Sequence, residues 1–242
     1  MNIRNVKVLN MKIELYDLSE VKGYVELVDS MGSDLTPVNA ARVSFGVQKE
    51  ELDDKDKKLI KYLLKHQHTS PFEHNVISFK FKVPLFVARQ HMRHRTWSYN
   101  EISRRYTKVD IDFYSPTAFR TQHETNRQAS NQDDIDPVLN VVQGATANWE
   151  TKASAALKRH VQNSLKLYES MLDNGVCKEQ ARMVLPQNLY TTYIGTCNLN
   201  NLIKFINLRD HEGAQEEIRQ VAQACRKIAQ IQWPEIMAFY ER

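Results

Sequence analysis

Residues 77–106 read ISFKFKVPLFVARQHMRHRTWSYNEISRRY. Ile77, Phe79, Phe81 and Val83 alternate with Ser78, Lys80 and Lys82, the period of two that buries one face of a strand. Pro84 suits the first turn of a helix, where its missing N–H has no intrahelical partner. Leu85, Phe86, Ala88 and Met92 anchor that helix, which runs straight into RHRTWSYNEISRRY (93–106). A half-buried strand followed by a short helix points to a mixture of α and β elements.

The flanking sequence extends this reading. KIELYD (12–17) and YVELVD (24–29) are short and rich in strand formers, with Gly23 leading in the second. Ser33 or Asp34 offers a cap to a short helix over 35–42. Leu59, Ile60, Leu63 and Leu64 share one face of a helix over 55–66. Residues 119–135 are polar, with almost no apolar content, and read as a surface insertion. Leu157, Val161, Leu165, Tyr168 and Leu172 recur at helical spacing and predict a helix from about 146 to 173, stopped by Gly175. A short helix over 178–185 ends at Pro186. Residues 188–196 look like a strand, Asn198 caps a helix through 208, and 214–231 form another amphipathic helix. There are no internal repeats. The fold class expected is α+β: one domain over 1–242, with a mixed sheet and helices concentrated in the C-terminal half.

Composition narrows the function. The 242 residues are 42% hydrophobic and 26% charged, ordinary for a globular protein. No apolar run is long enough to span a bilayer. The N-terminal run MNIRNVKVLNMKIELYD lacks the apolar core and cleavage site of a signal peptide, so a cytoplasmic protein without membrane partners is expected. Cys177, Cys197 and Cys225 are odd in number and far apart; they read as reduced core thiols. The net charge of +4 is too mild for a nucleic-acid coat. No dinucleotide fingerprint, phosphate loop, nucleophile elbow or HExxH occurs, and there are only seven glycines, which argues against a Rossmann site. His66, His68 and His74 are better read as helix-end residues than as metal ligands, and no metal is expected.

The charge is concentrated. Residues 89–105 hold five arginines and one acid, Glu101. A compact patch suits a compact anion better than a long polymer. Arginine presents a planar fork of donors that matches phosphate oxygens. Gln90, Ser98, Asn100 and Ser103 add neutral hydrogen-bonding groups, and Trp97, Tyr99 and Tyr106 can stack or pack. The competing readings are a solvated basic face and a nucleic-acid-binding module that uses the arginines and aromatics as its surface.

The stretch resembles the signature RHRxxSxNExSxRY of flavin-dependent thymidylate synthases. Arg93, His94, Arg95, Ser98, Asn100, Glu101, Ser103, Arg105 and Tyr106 fill every specified position. ELVDSMGSDLTPVNAARVSF (26–45), YLLKHQHTSPFEH (62–74), ARMVLPQNLYTTY (181–193) and NLRDHEGAQEEIR (207–219) are similar to further blocks of that family, in the same order. The resemblance implies methylation of deoxyuridylate (dUMP) at carbon 5 to give dTMP. Its implied carbon donor is 5,10-methylenetetrahydrofolate, its cofactor FAD reduced by NADPH, and its assembly a homotetramer whose subunits share active sites. A flavin oxidoreductase acting on a nucleotide without carbon transfer is the alternative within enzymes.

By the same resemblance, Arg93, His94, Arg95, Ser70, Glu101 and Asn198 match FAD-contacting positions, and His68 falls near the flavin. Asn200 and Lys204 also line that site, but many members carry arginine at the first and asparagine or histidine at the second. Gln90, His91, Met92 and Arg93 match the dUMP site, as do Glu101, Ile102, Ser103, Arg104 and Arg105. There the 103–105 segment would present backbone amides and guanidinium to the phosphate. Arg182 matches a further phosphate-site arginine. Arg209 looks like the catalytic position, a cation at the uracil edge that favours the ionised ring and makes carbon 5 more nucleophilic. Ser103 has no evident base beside it in sequence and reads as a phosphate contact, not a nucleophile.

Overall fold

A computed structural model describes residues 11–143 and 147–240. Part of the leader-peptide argument rests on residues 1–10, which lie outside that range. The main sheet has five strands: β1 (Lys12–Leu15), β2 (Gly23–Met31), β3 (Val76–Pro84), β4 (Trp97–Glu101) and β7 (Tyr190–Asn198), in the order β1-β2-β3-β7-β4. A separate hairpin joins β5 (Val138–Gln143) and β6 (Ala147–Lys152). Every hydrogen-bonded pair of the main sheet is antiparallel, so the expected mixed sheet is corrected. The reason is topological. Helix α3 (Leu85–His91) carries the chain from β3 to a parallel β4, but β7 slots between them and runs against both.

The alternation in β3 does what its sequence implies. Ile77, Phe79, Phe81 and Val83 are wholly buried, while Ser78, Lys80 and Lys82 are half-buried on the other face. Pro84 ends the strand and caps α3, one place before its expected position. Helix α7 (Glu216–Gln232) lies across β1 and β2 and touches α3 and α6 (Leu199–Arg209). Its buried stripe, Ile218, Val221, Ala222, Cys225, Ile228 and Ala229, has helical spacing. Each large side chain in this layer contributes about 1.5–3 kcal/mol by leaving water. Gly195 of β7 sits opposite Phe79 and Tyr99. A Cβ there would come 3.0 Å from the Phe81 ring and 3.4 Å from both Trp97 and Tyr99. The missing side chain lets these rings close over the strand.

Helix α1 (Leu35–Arg42) forms where expected, but Asp34 accepts from the backbone N–H of Ile236 and does not cap it. Helix α2 (Asp54–Lys65) starts at a capping box in which Asp53 accepts from the N–H groups of Lys55 and Asp56, and Asp56 accepts from that of Asp53. Helix α4 (Ala153–Asp173) buries Val161 and Tyr168. It begins later than expected: residues 147–152 are strand β6, and residue 146 lies outside the described range. Helix α5 (Lys178–Ala181) and a 3-10 turn (Arg182–Val184) precede Pro186. Asn198 caps α6, accepting from the N–H of Asn201 at 3.0 Å. A last helix, α8 (Pro234–Tyr240), was not foreseen. Cys197 and Cys225 are buried, but Cys177 is exposed, so it is not a core thiol. Among the described residues no helix is long and apolar enough to cross a membrane, and no group of His, Cys, Asp or Glu side chains could hold a metal.

Candidate active site

The basic stretch occupies the turn after α3 and the edge strand β4. The turn reverses within 92–96, with Thr96 at φ 63°. His94 donates its backbone N–H to the His91 carbonyl at 3.0 Å. This geometry alternates the side chains. Arg93 and Arg95 are exposed and have no ion-pair partner among the described residues. His94 between them turns inward, edge-on to Phe205 at 4.9 Å.

Arg209, the last residue of α6, donates from Nε to His94 Nε2 at 3.1 Å. The imidazole must then be neutral, with its proton on Nδ1. Burial, and then the Arg209 charge, hold His94 down to about 4. Burial also pulls the Arg209 guanidinium below its ordinary value, but from so high a start that it stays charged. Its Nη groups have no hydrogen-bond partner among the described residues and remain available for a ligand.

Two expected contacts are corrected at the level of their side chains. His91 is fully enclosed by Phe81, Trp97 and Phe205, with Nδ1 2.8 Å from the Tyr193 hydroxyl. Its imidazole belongs to the core and cannot face a nucleotide. The Arg104 guanidinium turns inward and donates to the carbonyls of Val109, Asp110 (2.6 Å) and Tyr190 (3.5 Å). It ties the 103–112 loop to β7 and is not presented to a phosphate. Orphaned carbonyls in a loop need donors, and the arginine fork supplies them.

The remaining residues fall into three groups. Gln90 lies on α3 beside α7, and its Nε2 donates to Gln215 Oε1. Met92 caps α3. The second group lines a cavity of about 440 Å³ that includes Glu101, Ile102, Arg104, Arg182 and Thr191. There Glu101 accepts from the Thr191 hydroxyl at 2.5 Å. Arg105 lies 3.4 Å from Glu179, and Arg182 Nε donates to the Glu179 carbonyl at 3.2 Å, so two exposed cations converge on one residue. Ser103 Oγ accepts from the N–H of Arg105 at 3.3 Å and has no base beside it among the described residues.

The third group lines a cavity of about 600 Å³ with Lys61, Lys65, His68, Asn200, Lys204 and Tyr240. Asn200 Nδ2 donates to Glu73 Oε1 at 2.9 Å. Asn198 spends its side-chain oxygen on the α6 cap, leaving its amide N–H groups for a ligand. Ser70 is exposed in the adjoining 3-10 turn (Ser70–His74). The three lysines have no ion-pair partner among the described residues, and their positive charge fits an anionic dinucleotide such as FAD. The two cavities share no lining residue, so one chain does not gather all the candidate residues around one space.

The five arginines of 89–105 therefore do not form one basic stripe, which weighs against a nucleic-acid surface. Sequence reasoning missed Glu73, Glu179, Gln215 and Glu217. Glu217 carried a signal: an acid on the apolar stripe of α7, beside Ile218 and one turn before Val221.

Similarity to known proteins agrees with this geometry. The family described as Thymidylate synthase complementing protein matches residues 26–235. The chain is 45% identical over 220 residues to a flavin-dependent thymidylate synthase of Thermus thermophilus, covering 91% of this chain and 76% of that one. It is 43% identical over 218 residues to one of Thermotoga neapolitana, covering 90% and 88%. A solved UMP/dUMP methylase, PolB from Streptomyces cacaoi bound with 5-Br dUMP, superposes with a TM-score of 0.72 at 32% identity, covering 90% of this chain and 94% of that one. A family match across most of the chain, together with relatives this similar, means that the chain belongs to the flavin-dependent thymidylate synthase family.

Proposed function

We propose that the protein is an FAD-dependent methyltransferase that converts dUMP to dTMP, and that the whole chain serves as one catalytic domain. The observation that carries the reading is Arg209, the last residue of α6, bonded through Nε to His94 of the RHRxxSxNExSxRY stretch. Its Nη groups offer a fixed cation to the uracil edge, which favours loss of the ring N–H proton and raises electron density at carbon 5. Arg105 and Arg182 neutralise the nucleotide phosphate, and Ser103 adds a neutral contact. Gln90 contacts the nucleoside, and Glu101 and the Met92–Arg93 turn close the site.

FAD is held by Arg93, Arg95, Asn198, Asn200 and Lys204, with His68 and Ser70 beside it. When bound and reduced by NADPH it supplies the reducing equivalents, while 5,10-methylenetetrahydrofolate supplies the carbon. His94 supports both ligands, since it holds Arg209 and lies between the two exposed arginines.

The assembly is a homotetramer in the cytoplasm, with sites shared between subunits. The separation of the two cavities supports this, because phosphate residues of one copy and flavin residues of another would complete a single site. The test combines absorbance and sedimentation. The purified protein binds FAD with flavin absorbance bands and sediments as a tetramer. Colourless protein that takes up no FAD at micromolar concentration would contradict the reading.

A further inference from the structure

We propose that Arg120, in the polar segment 119–135, is a positioning residue for the nucleotide site, acting through Glu217, Gln215 and Gln90. The inference rests on the reading of Gln90 as a nucleotide contact.

The chain of contacts is continuous. Arg120 Nη2 donates to both Glu217 oxygens, at 2.8 and 2.9 Å, and its Nε donates to Ser130 Oγ at 2.9 Å. Glu217 is 6% exposed, in the first turn of α7. Its Oε1 also accepts from the Tyr114 hydroxyl at 3.1 Å, and its Oε2 from Gln215 Nε2 at 2.9 Å. Gln215 Oε1 in turn accepts from Gln90 Nε2.

What travels along this chain is polarity. Burial pushes the Glu217 carboxyl up, but the bonds and charge of Arg120, with Gln215, outweigh it and leave the group below its ordinary value. Glu217 is thus ionised and can only accept. It therefore dictates which end of the Gln215 amide faces it: the NH₂. The Gln215 oxygen must then face Gln90, and the Gln90 NH₂ must face Gln215. The remaining acceptor of Gln90, Oε1, has no partner among the described residues and is left for a ligand donor. Without this chain, the Gln90 amide could flip between donor and acceptor.

Arg120 is what makes the anchor affordable. An ionised carboxylate that is 6% exposed needs a paired cation. The polar segment supplies it, held in turn by the Phe119–Ile135 and Gln122–Ser130 bridges. A surface segment of unassigned purpose is thereby wired to the substrate end of α3.

The test measures dUMP affinity in the FAD-loaded enzyme for wild type, Arg120→Ala, Gln90→Ala and the double variant. A lost hydrogen bond corresponds to about a two- to tenfold change. Arg120→Ala is expected to weaken dUMP about fivefold while FAD affinity holds. The double variant should bind no more weakly than Gln90→Ala alone, because Arg120 acts only through Gln90. If Arg120→Ala fails to fold, Glu217→Gln takes its place, since it keeps the volume but no longer dictates the amide orientation. Unchanged dUMP affinity in the folded variant, or losses that multiply in the double variant, would overturn the proposal. If FAD-loaded wild type does not bind dUMP at all, the reading of the site fails and the proposal fails with it. Normal dUMP binding by wild type with no effect of Arg120 sinks the proposal alone.

Discussion

Arg209 Nε stands 3.1 Å from His94 Nε2, and this bond fixes the end of α6 against the turn that follows α3. One edge of the guanidinium is spent on the histidine, and the other is free for a ligand. His94→Ala is expected to loosen Arg209 and to lower turnover with little loss of dUMP phosphate binding. Arg209→Ala should lower turnover by about 10²–10³-fold while FAD stays bound. Arg209→Lys should recover little, because an ammonium cannot keep one edge on His94 and another on the ring. Steady-state kinetics with flavin absorbance checks this; an Arg209→Ala enzyme with unchanged turnover would contradict the assignment.

Ser103 is expected to be dispensable for bond making. Its hydroxyl accepts from the Arg105 N–H and faces no general base among the described residues. Ser103→Ala should weaken one neutral contact, about 0.5–1.5 kcal/mol. Mass spectrometry of wild type under turnover should find no nucleotide linked to protein. A trapped Ser103 adduct and a dead Ser103→Ala enzyme would reverse this assignment.

Acid should destabilise the fold through its two inward histidines. Burial, then the nearby His94 and Arg209 charges, hold His91 down to about 3, and His94 is held at about 4. An unfolded histidine takes up its proton near pH 6.5. Between about 6.5 and 4 the unfolded chain binds protons that the native chain does not, so stability falls as pH falls. Above that window these groups contribute no slope. Urea midpoints measured across it should fall less steeply for His91→Gln than for wild type; equal slopes would show that His91 titrates alike in both states.

Asp56 should be among the costly acids to remove. It is fully buried, accepts from Arg42 at 2.5 Å and from the Asp53 N–H at 3.1 Å, and pairs with the Lys49 ammonium at 3.2 Å. Asp56→Ala deletes half of the capping box, a charge-assisted bond and an ion pair, an expected loss of about 2–4 kcal/mol. Equilibrium denaturation reads this directly, and a loss below about 1 kcal/mol would mean that the pairs break even against desolvation.

Much of this architecture was legible in the residues. The alternation from Ile77 to Val83, the 3.6-residue stripe of α7 and the Asn198 cap each depend on local spacing, and each forms as read. What escaped depends on distant partners. Strand β4 exists because β7 supplies its hydrogen bonds, and the five residues of WSYNE are too short a run to read as a strand without that partner. Residues 147–152 pair with 138–143 instead of extending α4, a choice made by the hairpin and not by helix propensity. In the candidate site, the signature picked out a stretch of the chain but not the direction of each side chain. Arg104 and His91 turn inward because loop carbonyls and an aromatic cage claim them. Arg120 was invisible because its partner, Glu217, lies 97 residues away.

The central claim is carbon transfer to uracil. The direct measurement incubates the enzyme with dUMP, FAD, NADPH and 5,10-methylenetetrahydrofolate labelled at the methylene carbon, then separates the nucleotides. The account predicts label in dTMP and release of tetrahydrofolate, with none in an Arg209→Ala control beyond a trace. NADPH oxidation and flavin turnover with all label remaining on the folate would contradict it, and would place the protein among flavin oxidoreductases that transfer no carbon.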